Sequence, residues 1–272
     1  KLVSAFKNLN RTFLVVLDNA EQAAYHLNDF EQILSKKEVL FFPASFKEVY
    51  NPAATDNANV LLRSEVLKKL SFSKKKKIIV TYPQALFEKV ISTHTLKRKT
   101  LAIKLGDVLG LDFVNETLFE YGFDRVNFVT QPGEFSVRGG IIDVFSFAHQ
   151  HPYRIEFFDD EIESLRSFDV NTQLSISPMD RIDLLPNTSE ISFSEKRNSL
   201  IDSLPRNSTV VFNQLDHCLD CIDKFWVKAS KKFESLKTKA QYPPKILFMS
   251  SQELLERLEK QSTVLINNSD RF

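Results

Sequence analysis

The sequence predicts an α/β protein, with a parallel-sheet domain split around an inserted α+β domain that carries an antiparallel or mixed sheet. Two observations carry this. Continuous apolar runs alternate with helical patterns at both ends of the chain, and the middle is dense in short strands of alternating polarity. The 272 residues are enough for two domains.

The first segment, residues 1–104, opens with Phe13-Leu14-Val15-Val16-Leu17, a buried strand ended by Asp18-Asn19. Ala23, Ala24, Leu27, Phe30 and Ile33 then recur near one helical face. Val39-Leu40-Phe41-Phe42 is a second strand, stopped by Pro43. Ile78-Ile79-Val80-Thr81 is a third, followed by Pro83 and a helix from about Gln84. Strands of this kind, separated by helices, belong to a sheet buried on both faces.

The second segment, residues 105–187, changes character. A helix near 112–121 leads into closely spaced strands punctuated by Gly139-Gly140, His151-Pro152 and Asp159-Asp160. The third segment, residues 188–272, returns to the first style. Its strands are Thr209-Val210-Val211-Phe212 and Thr263-Val264-Leu265-Ile266, with helices near 217–231 and 252–260.

Composition narrows the function. The 24 phenylalanines against one tryptophan predict Phe-rich cores. A net charge of +1 gives no global electrostatic attraction to nucleic acid. Cys218 and Cys221 are the only cysteines, which excludes a disulfide framework and fits a reducing cytoplasm. Their C-x-x-C spacing beside His217 lacks the second Cys/His pair that zinc requires, so both are expected to be structural. No apolar run approaches the roughly 20 residues of a membrane span, and no signal peptide is visible. The chain begins at Lys1 rather than Met, as expected of a piece of something longer.

Candidate chemistry is sparse. A phosphate-cradling loop needs closely spaced glycines and a lysine before a helix. The first strand instead runs into Asp18-Asn19-Ala20-Glu21, which puts two acids where a triphosphate would sit. Asp159-Asp160, at the end of an apolar strand, imitates a magnesium-binding acid pair but reads as a hairpin turn. His26, His94, His149, His151 and His217 are scattered, and no H-E-x-x-H or G-x-S-x-G occurs. No catalytic, cofactor-binding or metal-binding residue is therefore expected. The basic runs at 74–77, 97–99 and 228–239 are not interleaved with aromatics, and read as solvated turns and helix faces.

The strands of the middle segment are more informative. With a period of two, Tyr153, Ile155 and Phe157 share a core face, and Arg154, Glu156 and Phe158 point the other way. In Phe135-Ser136-Val137-Arg138, the same parity puts Phe135 and Val137 inside and Ser136 and Arg138 outside. If these strands share a sheet, Arg138, Arg154, Glu156 and Phe158 form one exposed patch. Arginine and aromatic anchors dominate interface energetics.

These residues also carry a resemblance. QPGEFSVRGGIIDVF, PYRIEFFDDEIESLRSFD, Thr172-Gln173 and the closing Ile182-Asp183-Leu184-Leu185-Pro186 resemble the module shared by UvrB and the bacterial transcription-repair coupling factors, the Mfd family. The likeness is strong over about residues 100–190 and weaker over the flanks. UvrB has a working phosphate-binding loop and a tyrosine-rich hairpin, and this chain shows neither pattern. The resemblance therefore implies an N-terminal fragment of the Mfd family with a degenerate, helicase-like first domain.

It further implies a non-catalytic module that recruits UvrA to stalled RNA polymerase for nucleotide excision repair. Arg138, Arg154, Glu156 and Phe158 match the UvrA-contacting positions. Where UvrB has a second arginine, this chain has Ser136. ATP, magnesium, double-stranded DNA and the polymerase would engage later domains of an ATP-dependent translocase. The alternative is a helicase-like, DNA-binding ATPase in its own right, resting on the α/β architecture and the lysine runs. On the adaptor reading, Arg154→Glu is expected to weaken UvrA binding while leaving thermal stability nearly unchanged.

Overall fold

The computed structural model describes residues 1–51, 55–147, 149–187, 197–236 and 242–266. It is mixed α/β and resolves into two compact units. The first unit combines Lys1–Thr93 with Lys196–Phe272, and the second is His94–Glu195.

The first unit runs α1 (Leu2–Asn8), β1 (Phe13–Val16), α2 (Ala20–Ile33), β2 (Val39–Phe41), α3 (Asn57–Phe72), β3 (Ile78–Thr81), α4 (Pro83–Phe87) and β4 (Val90–Ile91). After the second unit come β13 (Arg197–Asn198), β14 (Thr209–Phe212), α7 (Leu215–Ser235), α8 (Pro244–Leu247), α9 (Ser251–Leu258) and β15 (Ser262–Leu265). Five strands make a wholly parallel sheet in the order β15-β14-β1-β3-β2. Every residue of β1, β3 and β14 is buried, as strands covered on both faces must be.

Two residues beyond β1, the Asp18 carboxylate accepts from Asn213 (2.9 Å). Asn19 then caps α2 by accepting from the Gln22 amide. The buried stripe of α2 is not the expected one. It is Ala23 and Phe30, continued by Leu34 just past the helix end, with Leu27 half-buried, while Ala24 and Ile33 face out, with Ile33 56% exposed.

Helix α3 was not anticipated, because its buried positions include Arg63 and Ser64 among Val60, Val66 and Leu67. Those polar residues interrupt the apolar period. Arg63 is held by Glu88 (3.2 Å) and by the Pro43 carbonyl (2.7 Å), and it lies over the Phe42 ring.

The lysine run 74–77 is not simply solvated. Lys76 Nζ donates to the carbonyls of Phe6, Lys7 and Leu9, closing the C-terminus of α1, and Lys77 Nζ donates to the Lys37 carbonyl. In the last basic run, Lys237 and Lys239 lie outside the described residues. Cys218 is buried in α7, and Cys221 Sγ sits 3.5 Å from His217 Nε2 on the next turn.

The second unit runs from α5 (Thr93–Arg98) through β5 (Leu101–Lys104), α6 (Leu111–Glu120), β6 (Asp124–Arg125), β7 (Glu134–Arg138), β8 (Ile141–Val144), β9 (Tyr153–Phe158), β10 (Glu161–Phe168), β11 (Ser175–Pro178) and β12 (Arg181–Leu184). Strand β5, assigned above to the first segment, pairs antiparallel with β12 from Leu101↔Leu184 to Lys104↔Arg181, so it folds with the middle of the chain. The main sheet has six strands in the order β11-β10-β9-β8-β7-β6 and is antiparallel except for β6 against β7. One face is a dense core built by Phe135, Ile142, Val144, Tyr153, Ile155, Ile162 and Leu165, each at most 2% exposed. Helix α6 closes on it, with Phe119 edge-on to Phe135 at 5.1 Å between ring centroids. Among the described residues, no helix is long and apolar enough to cross a membrane.

Candidate functional site

The site is the other face of this six-stranded sheet. Two hairpins build it. The first turns at Gly139-Gly140 and the second at Asp159-Asp160. Gly139 takes φ +57°, a region an L side chain rarely adopts. At Gly140, a Cβ would press to 3.0 Å from the Phe157 carbonyl, and the Phe157 amide bonds the Gly140 carbonyl at 2.8 Å. The tip of the first hairpin is thus sewn to the neighbouring strand. Glu134 prepares the entry to β7 by accepting from the amides and side chains of Thr130 and Gln131. Burial pushes the Glu134 carboxyl up, but these bonds outweigh it and hold the group below the usual carboxylate range.

Register fixes which side chains meet. Ser136, Asp143, Arg154 and Arg166 are paired across four strands, and the next row is Arg138, Ile141, Glu156 and Ser164. Both hairpin tips lie at one end of the sheet. At the other end, Phe145, Phe168 and Val129 form a small second core, with Val126 and Val170 packed against it. Exposure follows this gradient. Ser136, expected to face outward, does turn to this face but is buried, while Phe158 at the tips is 68% exposed.

The arginines are tied down rather than projecting freely. Asp143, itself buried, accepts from Arg154 Nε (2.6 Å) and Nη2 (2.9 Å), and Arg138 reaches the same carboxylate through Oδ2. Arg154 also lies 4.6 Å above the Phe168 ring and has a side-chain exposure of only 15%, against 40% for Arg138. The bond to Asp143 raises the Arg154 guanidinium above its ordinary value. Arg138 stacks on Phe128, whose ring is 5.2 Å away and mostly exposed. Glu156 accepts from Ser164 Oγ (2.7 Å) and pairs with Arg166.

All four expected residues therefore lie on one face. Arg138 and Phe158 are open, and Arg154 and Glu156 are engaged within the sheet. The expectation that Arg154 could be replaced without cost to stability does not survive this geometry, because its charge neutralises a buried carboxylate. Asp143, Ser164, Arg166 and Phe128 were missed. Asp143 was within reach of the sequence, because a two-residue turn at Gly139-Gly140 places 143 opposite 136. Chemically, the face offers guanidinium donors in fixed directions together with the exposed rings of Phe128 and Phe158. That arrangement suits docking of a protein surface.

Comparisons with known proteins agree on the class. Residues 101–189 match the family model described as the UvrB interaction domain. The chain is 31% identical to the transcription-repair-coupling factor of Haemophilus influenzae over 184 residues, which covers 68% of this chain and 16% of that protein. It is 30% identical to the Bacillus subtilis transcription-repair-coupling factor over 178 residues, 65% of this chain and 15% of that protein. With the Rickettsia bellii protein of the same name, the alignment covers 97% of this chain and 28% of the relative at 26% identity. Fold and matches together define a split α/β unit that carries a UvrB interaction domain. The chain belongs to the transcription-repair-coupling factor family, as an N-terminal portion. It spans between about a seventh and somewhat over a quarter of the length of these relatives.

Proposed function

We propose that the second unit is a non-catalytic docking module for UvrA, and that the parent protein uses it to bring UvrA to stalled RNA polymerase for nucleotide excision repair in the cytoplasm. The observation that carries this reading is that Phe158, 68% exposed at the hairpin tips, shares one sheet face with the anchored guanidinium of Arg138. Arginine and aromatic side chains on one exposed face are the groups that most often anchor a protein interface. The docking surface comprises Arg138, Arg154, Glu156 and Phe158, with Phe158 as the apolar anchor. The family match over residues 101–189 supports the choice of partner class.

The test is a calorimetric titration of the chain with purified UvrA. Phe158→Ala is expected to weaken binding by about 2 kcal/mol, roughly thirtyfold, with an unchanged melt because the ring packs on little of its own unit. Unaltered affinity in this variant would remove the proposal.

On this reading the module needs no nucleotide or metal of its own. ATP, magnesium, double-stranded DNA and polymerase belong to other parts of an ATP-driven translocase. Titration of the isolated chain with ATP at millimolar concentration is expected to give no saturable binding. Saturable binding would favour the alternative, a helicase-like ATPase. The lysines of residues 74–77 give that alternative little support, since Lys76 and Lys77 are spent on backbone carbonyls.

A further inference from the structure

We propose that Asp143 is a positioning residue of the docking face, which presets the Arg138 and Arg154 guanidinium planes before a partner arrives. The inference rests on the docking reading above and adds to it a requirement about geometry. Asp143 stands on β8 between β7 and β9, the strands that carry the two arginines. Its side chain is 1% exposed, so it does not itself meet a partner. Both of its oxygens are used, Oδ1 by Arg154 Nε and Oδ2 by Arg154 Nη2 and Arg138. The rings of Phe168 and Phe128 support the guanidinium planes of Arg154 and Arg138 respectively. Each arginine has thus surrendered its rotamer freedom during folding, and still has N–H donors beyond those given to Asp143. The fitting counterpart is a protein surface that offers carboxylates to those donors.

Two roles for Asp143 predict opposite signs. If the arginines acted only as a diffuse positive field, Asp143 would be a handicap. Removing its charge would speed association and tighten binding to an acidic surface, most of all at low salt. If Asp143 sets geometry, Asp143→Asn loosens binding although the face becomes more positive. An amide presents one acceptor and one donor group, so it cannot hold both guanidinium forks. Freeing two arginine side chains is expected to weaken affinity between about fivefold and a hundredfold, expressed in the dissociation rate.

The experiment measures association and dissociation of the chain with purified UvrA at two salt concentrations. The variants are Asp143→Asn and Asp143→Glu, the second keeping the charge while shifting the carboxylate by one methylene. Amide spectra establish that each variant is folded, and the Arg154 Nε–H resonance reports whether its anchor persists. Support requires faster dissociation in a folded variant, association no slower than the parent's, and a lost or rapidly exchanging Nε–H signal. If Asp143→Asn does not fold, Asp143→Glu is read the same way. Parental or slower dissociation overturns the inference. Phe158→Ala and Arg138→Ala separate the two levels. If Phe158→Ala leaves affinity intact, the docking reading fails and takes this inference with it, whatever Arg138→Ala does. If they weaken binding while the Asp143 variants dissociate at the parental rate, only the positioning role fails.

Discussion

Arg154→Glu is expected to lower the unfolding free energy of the second unit by about 3–5 kcal/mol, the cost of leaving a buried charge without its partner. The loss starts at Asp143, whose carboxylate is shut away from water and takes two bonds from the Arg154 fork. Arg138 alone would remain to neutralise it, from a position with 40% side-chain exposure. The new glutamate would add a like charge in the same row of the sheet, where Asp143 and residue 154 are directly paired. The stacking on Phe168 would go as well. Hydrogen exchange of the β8 and β9 amides checks this, because it reads the second unit separately from the first. Protection within about 1 kcal/mol of the parent would show that the Asp143–Arg154 pair holds little of the sheet together. A loss of UvrA binding in this variant would therefore say nothing by itself about contact, which is why Phe158 is the cleaner probe.

Glu88→Ala is expected to cost the first unit a similar amount, about 3–5 kcal/mol. Glu88 is buried and accepts from the Ser45 amide (2.7 Å), the Ser45 hydroxyl (2.5 Å) and Arg63 Nη2 (3.2 Å). Burial pulls the Arg63 guanidinium below its ordinary value, and Glu88 opposes that pull. Truncating Glu88 strands a guanidinium deep in the unit, still donating to the Pro43 and Ala85 carbonyls at 2.7 and 3.4 Å but without a carboxylate to offset its charge. Fluorescence of Trp226, the one tryptophan and a residue of α7, reports this unit's urea unfolding. The paired change Arg63→Met with Glu88→Leu is expected to recover only part of the loss, because Glu88 also offsets the charge of the neighbouring Arg197, a contribution the double variant removes. A single-variant cost below about 1 kcal/mol would contradict the pair's assigned role.

What the sequence disclosed, and what it withheld, follows from the kind of signal involved. Buried parallel strands such as Phe13–Val16 and Thr209–Phe212 announce themselves as unbroken apolar runs. Strand parity put Arg138, Arg154, Glu156 and Phe158 on one face, because a period of two needs no tertiary knowledge. Parity says nothing about what covers a face. The small core of Val129, Phe145 and Phe168 that submerges one end of it depends on how the segment around Val126 returns to the sheet. Arg63 and Ser64 hid α3 for the opposite reason. The burial of Arg63 is made possible by Glu88 and Pro43, which are distant in sequence. The resemblance named the module but did not show that its arginines were already engaged.

The pairing of Leu101 with Leu184 carries an evolutionary consequence. Neighbouring antiparallel strands stand about 5 Å apart, so the backbone departs from this unit almost where it arrived. A stretch with such adjacent ends can be transplanted into a surface turn of an unrelated host as a cassette, with no need for the host to stretch. Recombination passes such a cassette, with its hairpin face intact, between proteins whose remaining machinery differs.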